Sequence, residues 1–128
     1  MHIAIIEDDE VLVEKLTKIL KKDSWVVDFF KSSADFGQTD LTLYHVVISD
    51  QSLTPINGRE LLTILSKKTN AELLLMDDES FKKEDLDNNA LRGLIDKRNL
   101  MNVFDKLEYL DTKLRILSSA QNAATKKT

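Results

Sequence analysis

The chain has 128 residues and a formal net charge of −4; 42% of the residues are hydrophobic and 31% are charged. This balance is typical of one globular domain with its own core, and the acidic charge argues against direct nucleic-acid binding. The absence of cysteine excludes disulfides, Cys-ligated metals and a thiol nucleophile. No apolar run approaches the roughly 20 residues of a membrane helix. We therefore expect a cytoplasmic protein without membrane contact.

The first half of the chain alternates short apolar runs with helical patterns. Residues 1–6 form an apolar run that predicts a strand buried on both faces. Apolar residues at spacings of three and four then predict a helix over 10–22. Further strands are predicted over 25–30 and 44–49. The polar stretch over 31–42 has room for a short helix at most.

The second half continues this alternation. Its predicted elements are a loop over 51–58, a helix over 59–68, a strand over 72–76, a helix near 81–90, a strand at 94–95 and a helix from 99 to 117. Residues 118–128 contain no large apolar side chain, so we predict a flexible tail or a truncated linker. The globular domain is predicted to span 1–117. Regular alternation of strands and helices predicts an α/β fold with a doubly wound parallel sheet.

Acidic side chains follow two of the predicted strands. Glu7 and Asp8 come after the first strand, Asp50 comes after the third, and Lys97 lies just past the fifth. In open parallel sheets, ligands bind beyond the carboxyl ends of the strands. If the first and third strands are neighbours, the three carboxylates converge and repel one another unless a divalent cation lies between them. Hard oxygen ligands favour Mg²⁺, and a lysine nearby suits a phosphoryl oxygen.

These features together resemble the receiver domain of two-component response regulators. The resemblance is carried by IIEDDE at residues 5–10, VVISD at 46–50, Gly58 eight positions after Asp50, and GLIDK at 93–97. It covers about residues 2–117. It implies a flavodoxin-like (βα)5 fold with five parallel strands in the order 2-1-3-4-5.

The resemblance also implies a role for each matching residue. Asp50 is the expected phosphoacceptor, and its partner would be a sensor histidine kinase or a phosphotransfer protein. Glu7 and Asp8 would hold Mg²⁺, with Asp8 the direct ligand and the backbone carbonyl of Ser52 a further one. Lys97 would contact the phosphoryl group. A downstream effector protein or domain would receive the signal, and no catalytic turnover is expected beyond phosphoryl transfer to Asp50.

The sequence departs from the family pattern where the family's conformational switch lies. The Ser or Thr expected after the fourth strand is replaced by Asp77, or by Met76 if the alignment shifts by one residue. Three further positions differ: Leu94 replaces an aromatic residue, Arg98 replaces a proline, and the loop proline falls at Pro55 instead of Thr54. We therefore expect altered switching. The alternative is a pseudo-receiver that binds partners independently of phosphorylation.

Other interpretations of the same residues stay open at this point. Glu7 and Asp8 would also suit the first turn of a helix, where acids stabilise the macrodipole. Asp50 would suit a turn, and Lys97 a solvated surface. A Mg²⁺-dependent phosphatase is a weaker hypothesis, because the expected Asp-x-Asp motif is absent after the third strand. Tyr109, on the last helix, is a candidate for a homodimer contact.

Overall fold

The computed structural model describes residues 1–77 and 93–126, with side chains up to residue 122. Its strands are β1 (His2–Ile6), β2 (Val26–Phe30), β3 (Val46–Asp50), β4 (Glu72–Asp77) and β5 (Gly93–Asp96). Its helices are α1 (Glu10–Ile19), α2 (Ser33–Gly37), α3 (Gly58–Ser66) and α4 (Met101–Lys126), with a 3₁₀ turn at Leu41–Leu43. The helix predicted near 81–90 lies outside the described residues.

The five strands form one parallel sheet in the order β2-β1-β3-β4-β5. This is the order implied by the resemblance, and the flavodoxin-like α/β fold is confirmed. The strand order reverses between β1 and β3, which pair with each other. Ligands bind beyond the carboxyl ends of the strands at such a reversal. The acidic residues predicted at the ends of β1 and β3 therefore lie at this point.

Two core layers cover the two faces of the sheet. Side chains alternate between the faces of a strand, so a continuous apolar run such as β1 supplies both layers. One layer packs β1 and β3–β5 against α1 and α4, through residues such as Leu16 and Leu107. The other packs β1, β3 and β4 against α2 and α3, through Phe36 and Leu62. This two-sided burial holds the central strands in a fixed register.

The structure moves several predicted boundaries. Asp50 is the last residue of β3 and pairs with Met76 of β4, whereas the sequence analysis placed it after the strand. Helix α1 ends at Ile19, three residues earlier than predicted, because the chain turns back to begin β2.

The last helix is longer than predicted. It continues to Lys126 instead of ending at 117, although its described residues from Arg115 onward are all exposed. The division into a domain over 1–117 and a tail over 118–128 stays a prediction. In the described part of the chain, no helix is both long enough and apolar enough to cross a membrane.

Candidate phosphoryl and metal site

Three charged side chains project from the same face at the carboxyl edge of the sheet. Glu7 follows β1, Asp50 ends β3, and Lys97 follows β5. Two positions before each of them lies an isoleucine of the core layer that contacts α1 and α4. Since side chains alternate along a strand, these three residues continue that layer beyond the core. The alternation of side chains along the strands therefore brings two acids, Glu7 and Asp50, together with Lys97.

The resulting contacts are short and largely shielded from solvent. The Nζ of Lys97 lies 2.6 Å from Oδ1 of Asp50 and 3.3 Å from Oε2 of Glu7. Glu7 is 1% exposed and Asp50 is 2% exposed, whereas Asp8 is exposed. One carboxylate oxygen from each of Glu7, Asp8 and Asp50 lies within 4.8 Å of the others. The structure thus brings the predicted acids and the lysine into one cluster.

Burial changes the proton affinity of this cluster. It raises the pKa of the Glu7 carboxyl from 4.5 to about 7, while the Asp9 amide and Lys97 pull it down and the charge of Asp50 adds to the rise. Burial lowers the pKa of the Lys97 ammonium, but its hydrogen bond to Asp50 and the charge of Glu7 more than offset this, so the pKa is raised. Lys97 is therefore a cation at neutral pH.

One oxygen of Glu7 lacks a hydrogen bond. Oε1 accepts from the backbone amide of Asp9 at 3.1 Å, but Oε2 is the buried side-chain oxygen that has no hydrogen-bond partner in the described part of the chain. The ammonium of Lys97 lies nearby as an ion pair and its short contact is to Asp50.

The cluster has the chemistry of a magnesium site. Three carboxylates and one ammonium leave two negative charges when all are ionised, which a divalent cation balances. Mg²⁺ binds through one or two carboxylates and keeps several waters, and a water of this kind would also satisfy Glu7 Oε2. The residues present therefore fit Mg²⁺, with Asp8 as an exposed oxygen donor and Asp50 and Glu7 as buried ones.

The four acids from Glu7 to Glu10 lie in two different environments. The carboxylate of Asp9 caps α1 by accepting from the amides of Val11 and Leu12, at 3.0 and 3.4 Å. Glu10 lies in the first turn, where an acid stabilises the helix macrodipole. Helix capping is thus performed by Asp9, whereas Glu7 lies outside the first turn of α1 and within the buried acidic cluster.

The loop after Asp50 is held by close backbone packing. A Cβ atom at Gly58 would overlap the carbonyl oxygen of Asp50, so only glycine fits between α3 and the end of β3. The Gly58 amide donates to the carbonyl of Gln51 at 3.1 Å, and the Gln51 side chain accepts from the amide of Arg59 at 2.9 Å. These contacts fix the backbone that carries Asp50. Ser52 is an exposed residue of this loop, and its carbonyl ligand role stays a prediction.

Neither residue considered for the switch position supplies a hydroxyl. Met76 is fully buried in the core, and Asp77 is the last residue of β4. The carbonyl of Asp77 accepts from the amide of Lys97 at 2.9 Å, which places this acid beside the strand that carries the lysine. Asp77 therefore occupies the strand end where a hydroxyl was expected. The following residues, including Ser80, lie outside the described part of the chain.

The sequence places Gly58 at the end of the predicted loop over 51–58 and gives Gln51 no role. Both hold the backbone of Asp50 by contacts at the end of β3. The spacing of eight residues between Asp50 and Gly58 was the available signal for Gly58. No pattern in the sequence singles out Gln51, because its role depends on where α3 begins.

Comparison with solved structures identifies the fold as that of response-regulator receiver domains. The chain is 24% identical to the non-phosphorylated HemR receiver domain from Leptospira biflexa, with a TM-score of 0.73 over 85% of this chain and 92% of that one. It is 23% identical to the response regulator TrrA from Thermotoga maritima in complex with Mg²⁺–BeF. The TM-score is 0.70, over 85% of this chain and 97% of that one. The chain is 21% identical to TrrA in the complex with the histidine kinase ThkA, with a TM-score of 0.72 over 85% of this chain and 97% of that one. No protein-family model and no curated protein matched the sequence.

Proposed function

We propose that this chain is a signalling receiver module that accepts a phosphoryl group on Asp50, with Mg²⁺ held by the acidic cluster. The observation that carries the proposal is the convergence of Glu7, Asp8 and Asp50 around the ammonium of Lys97. The receiver fold and the Mg²⁺–BeF complex of TrrA support it. No catalytic turnover is proposed beyond this self-modification, and the module acts in the cytoplasm.

The proposed reaction transfers a phosphoryl group from a phosphohistidine. An oxygen of Asp50 attacks the phosphorus, and the bond between phosphorus and the imidazole nitrogen breaks. The electron pair of that bond stays on the imidazole nitrogen. The ring leaves as neutral imidazole if its other nitrogen already carries a proton, and otherwise it takes up a proton from water. Asp50 becomes an acyl phosphate. Mg²⁺, when bound, neutralises charge on the transferred group.

The protein's own residues orient and balance this step. The Nζ of Lys97 lies 2.6 Å from Oδ1 of Asp50 before the reaction. After the transfer, the ammonium pairs with an oxygen of the phosphoryl group and stabilises its negative charge. Burial of Asp50 and Glu7 keeps bulk water away and strengthens these interactions. The packing at Gly58 holds the Asp50 backbone in place.

The proposed donor is a sensor histidine kinase or a phosphotransfer protein, and the output is a downstream effector protein or domain. The complex of TrrA with the histidine kinase ThkA supports the choice of donor. The acidic balance of the chain, −4, supports an output through protein contacts without direct nucleic-acid binding.

The proposal is tested by labelling with acetyl phosphate and measuring the intact mass. We expect one phosphoryl adduct that requires Mg²⁺ and is absent in Asp50→Asn. Asp23→Asn, which removes an exposed acid away from the site, is the matched control and keeps the adduct. Absence of an adduct in a wild-type protein that binds Mg²⁺ would overturn the phosphoacceptor role.

The second candidate function is a pseudo-receiver, which the lack of a hydroxyl at the end of β4 favours. Met76 pairs with Asp50 and is fully buried, and Asp77 follows it, so neither can donate a hydroxyl to a phosphoryl group. A pseudo-receiver binds its partner equally well as wild type and as Asp50→Asn. If the site accepts phosphate but switches abnormally, Asp77→Thr lengthens the lifetime of the adduct, whereas Asp23→Thr leaves it unchanged. Turnover of a generic phosphate ester would instead revive the phosphatase hypothesis.

A further inference from the structure

Strand β2 has a neighbouring strand on one side only. It is the first strand in the sheet order and pairs with β1, and no strand of the described part of the chain lies against its other side. An edge strand presents backbone N–H and C=O groups that can pair with another chain, and proteins often protect such an edge with charged residues, proline or a bulge. Four of the five residues of β2 are apolar. This edge is therefore suited to binding a further strand.

The hydrogen bonds of β2 show which residues face the open edge. The amide of Val26 donates to the carbonyl of Met1, and the carbonyl of Phe30 accepts from the amide of Glu7, both at 2.9 Å. Backbone groups alternate between the two sides of a strand, so the residues that face β1 are the even-numbered ones. Val27 and Phe29 each turn an N–H and a C=O outward.

The side chains of Val27 and Phe29 line a groove on the face of the sheet that α1 covers. The floor of this groove is apolar and includes Leu20 and Trp25. Its volume, about 470 Å³, is in the range of cavities that bind ligands. Residues opposite each other on paired strands share one face of the sheet. A strand added beside β2 would thus place two of its alternate side chains over the groove.

Lysines lie at both ends of this groove. Lys21 and Lys22 line it near the start of β2, together with one acid, Asp23. Lys31 directly follows the end of β2 and turns to the same face, where its ammonium lies 3.6 Å from Glu10 of α1. The chain as a whole carries a net charge of −4, so this excess of positive charge is local. It favours an acidic side chain at each end of an added strand.

We propose that β2 binds an extended segment of a partner protein as a sixth, antiparallel strand of the sheet. Two apolar residues of the segment, separated by one residue, lie opposite Val27 and Phe29. An acid two positions before the first and another two positions after the second reach the lysines. Antiparallel pairing is slightly the more stable per residue, and parallel sheets commonly carry an antiparallel edge strand. The inference does not require phosphorylation of Asp50 or Mg²⁺.

The fluorescence of Trp25 measures binding, because it is the one tryptophan of the chain and lines the groove. The probe is a capped peptide of sequence Glu-Thr-Val-Thr-Val-Thr-Glu, added to the full unmodified chain. We expect a saturable change in fluorescence. Replacing both glutamates of the peptide with lysine should weaken binding about tenfold or more, since each end then meets like charge.

Backbone methylation of the peptide separates strand pairing from simple occupation of the groove. N-methylation of the two valines removes the donors that face β2 and should abolish binding. N-methylation of the central threonine, whose amide faces away from β2, is the matched control and should leave binding nearly unchanged. Equal binding of the two methylated peptides would overturn the inference.

A charge reversal on the protein tests the groove from the other side. Lys21→Glu is the chosen variant, because Lys21 is exposed, whereas Lys22 already pairs with Glu108 at 3.2 Å. We expect binding to weaken roughly threefold to fivefold, as for one exposed ion pair. Lys67→Glu, which reverses an exposed lysine at the end of α3 on the other face of the sheet, should have no effect.

Three further results would overturn the inference. The first is the absence of a fluorescence change at millimolar peptide. The second is an equal response of the Lys21→Glu and Lys67→Glu variants. The third is a change in Trp25 fluorescence with protein concentration in the absence of peptide, because a second copy of the chain would then occupy the edge. None of these results bears on phosphorylation of Asp50.

Discussion

The two edges of the sheet both carry clusters of ionisable side chains, but their hydrogen bonding differs. At the amino edge, Asp28 accepts from the hydroxyl of Tyr44 and contacts Nε2 of His2, each at 2.9 Å, and the His2 amide donates to Nδ1 of His45. At the carboxyl edge, Oε2 of Glu7 has no hydrogen bond. The polar side chains at the amino edge contact one another, whereas the carboxyl edge has a carboxylate oxygen without a hydrogen bond.

This difference distinguishes a cluster with a structural role from the candidate binding site. Buried polar groups are normally paired, because an unpaired one costs stability. A polar network that is complete stiffens the fold and has nothing left to offer a ligand. A network that leaves one carboxylate oxygen open, beside two further acids, provides donors for a cation. The following experiments test this contrast, beginning with the largest expected effect.

Lys97→Met should be the most damaging substitution. It leaves the buried carboxylates of Glu7 and Asp50 without their compensating charge, and breaking a buried pair in this way costs about 3–5 kcal/mol. Urea unfolding at pH 8 in EDTA measures the loss, and adding Mg²⁺ should recover part of it. Lys22→Met is the control, because its pair with Glu108 is partly exposed and worth under about 1 kcal/mol. Equal losses in both variants would contradict the contrast.

Glu7 should make the stability of the protein depend on pH. Its pKa is about 7 in the folded state and 4.5 in the unfolded reference, so the folded state holds the proton more tightly. Without metal, stability therefore falls as pH rises from about 4.5 through about 7, by a total on the order of 3 kcal/mol. The difference in unfolding free energy between wild type and Glu7→Gln, measured in EDTA against pH, isolates this effect. If the unfolding free energies of wild type and Glu7→Gln changed in parallel with pH, the pKa of Glu7 would not differ between the folded and unfolded states.

Gly58→Ala should displace the backbone of Asp50. The added Cβ overlaps the carbonyl oxygen of Asp50, and forced overpacking of this kind costs about 1–3 kcal/mol. Mg²⁺ affinity should fall together with stability, because Asp50 moves. Gly37→Ala provides the comparison, since a Cβ there meets no atom within 4 Å. We expect Gly37→Ala to leave both quantities nearly unchanged, and a loss of metal binding there would argue against local positioning by Gly58.

Tyr44→Phe should have the smallest effect. It removes one hydrogen bond to Asp28 at the closed edge, which is worth about 1–2 kcal/mol, and it leaves the packing of the ring intact. Thermal unfolding measures the change, and Mg²⁺ affinity should not respond. Ser119→Ala, at an exposed position, is the reference for a harmless hydroxyl deletion. A change in Mg²⁺ affinity on Tyr44→Phe would mean that the two edges are coupled.

Much of this fold could be predicted because its signals are local. Apolar runs such as residues 46–49 identify strands buried on both faces, and the alternation of strands with helices implies a parallel sheet. The end of α4 could not be predicted from apolar content. Residues 118–126 lack large apolar side chains, yet Ala and Gln are good helix formers and continue the helix without burial. The absence of a core contact is therefore a poor signal for the end of a helix.

The candidate site could likewise be predicted only in part. The types of its residues and their positions at strand ends follow from the sequence, because a parallel sheet brings the ends of its strands to one edge. The division of labour between Glu7 and Asp9 does not, since both are acids just before α1. It depends on which carboxylate reaches the free amides of the helix and which one the sheet buries.

The sequence by itself determined the strand segments, the alternating order of elements, and the presence of acids and a lysine at strand ends, because these depend on periodicity between near neighbours. Only the tertiary structure decided the 2.6 Å contact of Lys97 with Asp50, the oxygen of Glu7 that has an ion pair but no hydrogen bond, and the close packing at Gly58. These depend on the register between strands far apart in the chain and on how closely α3 approaches β3. Such distances are set by the packing of the whole core.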